Sequence, residues 1–437
     1  MGRICFLGIA LAAGCDCYGS RSIGPTEDGG ARDDAATVDA SDSDDCVAAD
    51  GPLRLDEASF QAREIDVVVD ASGAATVVFF ESDGSNREIV ARRYEPGLGW
   101  CPRAILGDGS SHLTVGNDAG DVVVLFHSGG ARAHGSVFMR AGGWSESATL
   151  DGLGGAPTSA ALDSAGAFLS VTRGADEIRY VPERGWTQSR APFEIGHIIW
   201  PEVAVGGDDV FHLVWSDEDP GGAFSDILWA RDQGEWTAPT VLWTDDPAYD
   251  PRIAVDAIGR ATAAWIHSPL DRPESYVYTT SWLPEPGWAD ASLLENVGEN
   301  TALELAMTSD GKALLTTRLG NLAVHVREPS GEWDDRHVLD DNAIRSDLAV
   351  GAGGEAIVVW VNDPKPRDFQ PSVRGSRFDG TAWGEPFDIA HLPRHPHRYY
   401  EARVGLGADG TTVVVWTEFE GEVYDGDPPL GVYADVL

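Results

Sequence analysis

The chain has 437 residues, enough to bury a large core and, by length alone, to hold two or three ordinary domains. It is 43% apolar with 15 Trp, which excludes a wholly disordered protein. A formal charge of −40, from 71 acidic against 31 basic residues, repels DNA, RNA and anionic membrane surfaces, so no nucleic-acid partner is expected.

The chain opens "MGRICFLGIALAAGCDC". Arg3 supplies a short basic region and Ile4 to Ala13 an apolar run, too short to span a bilayer and suited to an export signal. The small residues Ala12, Ala13 and Gly14 before Cys15 resemble the lipobox of bacterial lipoproteins, although Ala12 stands where Leu is usual. That resemblance implies that residues 1–14 are a signal peptide, that Cys15 becomes the lipidated first residue, and that the protein is held on the bacterial cell envelope, facing the periplasm or exterior. An ordinary secretory signal or a short anchor is the other reading. No other segment approaches about 20 apolar residues, so lipid is the only membrane attachment expected.

Residues 15–49 are poor in aromatics and rich in Asp, Gly, Ser and Ala, and read as a disordered acidic tether extended by its own charge. Cys5 leaves with the signal and Cys15 carries lipid, leaving Cys17, Cys46 and Cys101. In an oxidising compartment Cys46–Cys101 is the expected disulfide, with Cys17–Cys46 as competitor. None of these spacings reads as a zinc site.

From residue 67 a hairpin recurs: "VVVDASGAATVVFF", "LTVGNDAGDVVVLF", "AALDSAGAFLSVT", "VAVGGDDVFHLVW", "IAVDAIGRATAAW", "LAMTSDGKALLTT", "LAVGAGGEAIVVW" and "VGLGADGTTVVVW". The turn closes on Gly73, Gly120, Gly166, Asp209, Gly259, Gly311, Gly354 and Gly410. At a constant offset follow Phe79, Phe126, Thr172, Trp215, Trp265, Thr317, Trp360 and Trp416. Asp70, Asn117, Asp163 and Asp256 open turns of the D-x-x-G kind and read as turn-formers rather than catalytic groups. A second signature carries Trp100, Trp144, Trp186, Trp236, Trp288, Trp333 and Trp383 between two further strands.

Each unit is therefore four strands, and the spacing is that of propeller blades. The chain from residue 50 to 437 is expected to be all-β, a single β-propeller of eight four-stranded blades. The count drops to seven or six if the third or sixth unit, with Thr at the aromatic position, is distorted. The last unit lacks an outer strand, and residues 52–56 are expected to supply it and close the ring. This pattern resembles exported bacterial propellers of the sialidase-like or BNR-like kind. The resemblance is architectural: the sialidase Asp box puts Trp three residues after its glycine, whereas the aromatic here lies six after. No sialidase catalytic set maps onto the chain.

Function is expected on the face carrying the loops after the second strand and between blades. Those loops are long in blades four, five, seven and eight. They nominate Asp217, Asp250, Arg252, Asp271, Arg272, Arg394, His395, His397, Arg398 and Tyr399 as ligand-binding residues. The segment "HLPRHPHRYY" offers Arg as a carboxylate or phosphate clamp and Tyr as a stacking face. His391, His395 and His397 lack zincin spacing, so no metal site is expected. "WSDEDPGG" and "YDGDPP" space carboxylates as calcium loops do, making Ca2+ the one possible cofactor. The sequence supports a monomeric binding or interaction module for a glycan or protein ligand. The alternative is a carbohydrate-active hydrolase or polysaccharide lyase working at the channel mouth, for which paired carboxylates such as Asp217 or Glu218 with Asp271 or Glu418 are the candidates.

Overall fold

The computed structural model describes residues 46–48, 51–57, 61–128, 132–150, 157–193, 198–218, 224–244, 247–269, 274–298, 301–318, 321–364, 370–393, 400–419 and 430–437. All belong to the compact unit Val38–Leu437. The export signal, Cys15 and Cys17, and most of the tether lie outside these residues.

The hairpin turns form as their chemistry dictates. Gly73, Gly120, Gly166, Gly259, Gly311, Gly354 and Gly410 all have φ between 80° and 90°. In the fourth unit Asp209 takes φ 57° in their place. Asp70 Oδ1 accepts from the Ser72 and Ala74 amides, and Asp256 Oδ1 from those of Ile258 and Arg260, so the turn-opening carboxylates are occupied by their own backbone.

Strands pair in sequence order into seven sheets, the largest with nine strands. That sheet is two blades joined where Gln61 and Leu430 pair in parallel, so the molecule has eight blades. Their first strands are Gln61–Val69, Ser111–Gly116, Pro157–Leu162, Ile198–Val205, Ala248–Val255, Ala302–Met307, Ala343–Val350 and Ala402–Leu406. Each of these packs against the first strand of the blade before and the blade after, and the eighth against the first. They form a closed innermost ring around the propeller axis.

Phe79, Phe126, Trp215, Trp265, Trp360 and Trp416 are all buried. Thr172 and Thr317 are buried at the same register, so blades three and six are regular. The ring closes as the patterning predicts. Leu53–Arg54 is the outer strand of the last blade, with Leu53 opposite Ala434 and Arg54 opposite Tyr433. The Leu55 amide donates to Val432 O at 2.8 Å, and Asp56 Oδ1 accepts from the Val432 amide at 2.8 Å. Cys46 and Cys101 are disulfide-bonded, and Val47 pairs with Trp100 beside them, fastening the incoming segment to blade one.

One expectation needs correcting. Asp250 and Arg252 are not on a loop but inside the inner strand Ala248–Val255. Pro251 lies in the same strand. An inner strand has one edge free of ladder bonds, so a proline fits there at a bulge, and the register shifts between Tyr249 and Arg252. Asp217 likewise lies in a strand, Phe211–Glu218, opposite Asp226.

Candidate functional site: the charged wall of the axial channel

The ladder gives every inner strand a common register. Asp66, Leu113, Ser159, Glu202, Arg252, Glu304, Asp347 and Arg403 are equivalent, facing Val78, Leu125, Val171, Val214, Ala264, Thr316, Val359 and Val415 respectively across the ladder. Six of the eight blades thus place a charged residue at one level of the ring. Asp66, Arg403, Arg252 and Glu202 keep 28–31% of their side-chain surface exposed.

These side chains first serve the scaffold. The free edge of an inner strand carries amides without a ladder partner, and the preceding blade supplies one. Asp66 Oδ2 accepts from the Thr114 amide at 3.2 Å, Ser159 Oγ from Val203 at 2.9 Å, and Asp347 Oδ2 from Val404 at 2.7 Å. In blade five the polarity reverses, and Arg252 Nε donates to Leu303 O at 2.9 Å. Glu304 accepts from the Ser346 and Thr316 hydroxyls, both at 3.2 Å.

The ring is also an electrostatic network. Arg252 reaches Asp250 at 2.9 Å and Glu202 at 3.5 Å, while Arg403 lies 4.0 Å from Asp66. Arg345 lies 3.6 Å from Glu401. Burial drives the Asp66 carboxyl up to about 6 against the pull of Arg403. Burial, reinforced by the Asp347 carboxylate, pushes Glu304 up to about 7. Glu64, Glu202, Asp250 and Asp347 move upward for the same first reason, burial. Burial opposes the charge on Arg403, but Asp347, Asp66 and Glu401 outweigh it and hold the guanidinium firmly protonated. The wall therefore offers proton-bearing carboxyls near neutral pH beside permanent cations.

Polarity changes along the bore. Nearer the D-x-x-G turns the equivalent residues are Val68, Val115, Ala161, Ala204, Ala254, Ala306, Ala349 and Gly405, all small and apolar. Toward the loop-bearing face lie Glu64, Trp200 and Asp250, equivalent residues of blades one, four and five. They have φ of 54°, 45° and 52°, a conformation side chains rarely adopt, and each sits in a bulge. Trp200 is the one Trp among the described residues in an innermost strand. Its ring stands 5.8 Å from that of Tyr249.

No protein-family profile and no curated protein matches the chain. Among solved structures it is similar to a polysaccharide lyase described as an ulvan lyase, with 10% identity and a TM-score of 0.46, over 86% of this chain and 94% of that one. The polysaccharide lyase Uly1 aligns with 10% identity and a TM-score of 0.45, over 86% of this chain and 90% of that one. YCF48, solved bound to a D1 peptide, aligns with 14% identity and a TM-score of 0.43, over 70% of this chain and 94% of that one. Similarities this low assign no activity to the chain; its architecture is read from its own strand order.

Of the nominated residues, the structure brings Asp250 and Arg252 together in the channel wall. Asp217 ends a second strand of blade four, away from the ring register. Asp271, Arg272, Arg394, His395, His397, Arg398 and Tyr399 lie outside the described residues. The ring residues Asp66, Glu202, Glu304, Asp347 and Arg403 escaped sequence reasoning. The signal was available: aligned on the turn, the position four before Asp70 and its equivalents reads D, L, S, E, R, E, D, R.

Proposed function

We propose that this protein is an exported, lipid-anchored propeller that binds a glycan segment at the loop-side mouth of its channel. The observation supporting it is one register of alternating carboxylates and guanidinium groups with an aromatic pair, Trp200 and Tyr249, beside it. Sugar hydroxyls donate to Asp66, Glu202 and Glu304 and accept from Arg252 and Arg403, while the apolar face of a pyranose packs on an indole. Four carboxylates against two guanidinium groups favour a neutral or amino-bearing glycan over a sulfated one.

A glycan array and a polysaccharide-turnover screen of the full chain, with and without Ca2+, test the reading. Binding without product release, lost in Trp200→Ala and Arg252→Gln, is expected; binding unchanged in both variants would refute the channel site. A second reading, a carbohydrate-active enzyme, is favoured by carboxyls near neutrality at Asp66 and Glu304 beside Arg403, the equipment of general acid–base chemistry. Release of reducing ends or unsaturated products, abolished in Glu304→Gln, would select it. Cys15→Ser should abolish membrane association, and unaltered partitioning would remove the lipid anchor from the proposal.

A further inference from the structure

The second array of Trp residues hides one departure. Opposite each Trp, the third strand carries Tyr94, Phe138, Tyr180, Asp232, Trp282, Arg327 or Phe378. Where that residue is aromatic the two rings commonly pack, as for Tyr94–Trp100 at 5.5 Å and Phe378–Trp383 at 5.4 Å. The residue also meets the preceding blade, whose third strand often presents a cation. Arg93 lies 4.6 Å from the Phe138 ring and Arg231 lies 4.9 Å from the Trp282 ring. Asp232 is paired with Arg179 of blade three.

At the interface of blades five and six this scheme is inverted. The cation, Arg327, comes from the later blade, and blade five presents Ser281, whose Oγ accepts from Nη2 at 2.9 Å. With neither an aromatic nor a long side chain to fill the space, a cleft of about 370 Å³ remains. Arg327, Arg260, Ser281, Thr279, Trp282 and Trp333 line much of it. Arg260 is satisfied by Asp256. Arg327 forms no ion pair among the described residues; burial and the neighbouring Arg260 both weigh against its charge. Asp290 stands in the lining but in ion-pair contact with neither guanidinium. The Trp333 indole is held by its Nε1 donating to Thr279 Oγ1 at 3.1 Å. In a protein of net charge −40, an arginine that forms no ion pair among the described residues, in a cleft, is a seat for an anion.

We propose that this cleft binds a small organic anion, its carboxylate or sulfate seated on Arg327 and its ring against Trp333. The site lies on the D-x-x-G side of blades five and six, beside the turn at Gly311. The test is calorimetric titration of the full chain with benzoate, glucuronate and inorganic sulfate, with tryptophan fluorescence followed in parallel. One of the two ring-bearing carboxylates should bind saturably and more tightly than sulfate. Arg327→Phe, which restores the aromatic found in other blades, should weaken that binding by at least about tenfold while keeping the unfolding temperature. Arg327→Lys should retain part of it. Should Arg327→Phe unfold, Ser281→Phe, which fills the cleft and spares the arginine, should lose binding equally. Absence of saturable binding by any probe, or binding unchanged in these Phe variants, would overturn the site. Sulfate binding more tightly than both carboxylates would overturn the role of Trp333.

Discussion

The two halves of the channel wall are built on the same eight strands and obey opposite rules. Near the turns the wall repeats itself blade after blade in Val, Ala and Gly, because neighbouring backbones approach closely there. A Cβ on Gly405 would come within 2.5 Å of Val69. A few residues earlier the blades diverge, and acids, arginines and a tryptophan replace many of the small apolar groups. A repeat protein keeps constant what stacking requires and varies what stacking leaves free. The charged half nevertheless carries structural duties, since its carboxylates cap the free edge of the next strand. Recognition and closure share the same atoms.

That contrast predicts unequal responses. Arg403→Met leaves Asp66, Asp347 and Glu401 without their shared cation, and should cost about 3–5 kcal/mol in denaturant unfolding. A loss under about 1 kcal/mol would show that water in the bore screens the ring. Next in size is the staple outside the ring: Cys46→Ser with Cys101→Ser frees the N-terminal segment and should cost about 2–4 kcal/mol, read as a lower unfolding temperature.

The third prediction concerns pH. Asp66 and Glu304 hold their protons more tightly folded than unfolded, with folded values of about 6 and about 7 against ordinary values of 3.8 and 4.5. Their contribution is full below pH 4, declines as pH rises through the folded values, and levels off above them. Asp66→Asn and Glu304→Gln should flatten that decline in thermal unfolding between pH 4 and 8; a wild-type slope in both would refute the assignment. Val68→Ala, in the apolar half, should cost only about 1 kcal/mol, with no change in pH dependence. Ala306→Ser should be smallest, within about 0.5 kcal/mol.

Most of the scaffold was legible because it rests on local chemistry repeated at fixed spacing. The turn at Asp256 and Gly259, the buried Trp265 and the outer strand at Leu53 each announce themselves in a few residues. The charged ring does not. Asp66 and Arg403 meet only after the ring has closed, and that position carries five residue types over eight blades, so no motif exists to notice. Arg252 was noticed together with Asp250, but both were placed on a long loop between blades. Only the ladder, with Arg252 opposite Ala264, reveals a bulged strand whose free edge faces the axis. Trp200 was hidden among Trp residues whose commonest task here is blade packing.

The last blade has a consequence for how the molecule is made. Leu53 pairs with Ala434, and Val432 bonds to Asp56 across a separation of 376 residues, so one sheet joins an early and a late segment of the chain. Seven blades can form before it, but the ring cannot shut until the strand Leu430–Val436 meets its partner Leu53–Arg54. Until then Asp347 and Arg403 face Asp66 across an unsealed seam. The strand Leu53–Arg54 must therefore stay available until the last blade has formed, and the disulfide between Cys46 and Cys101 would park it where that blade needs it.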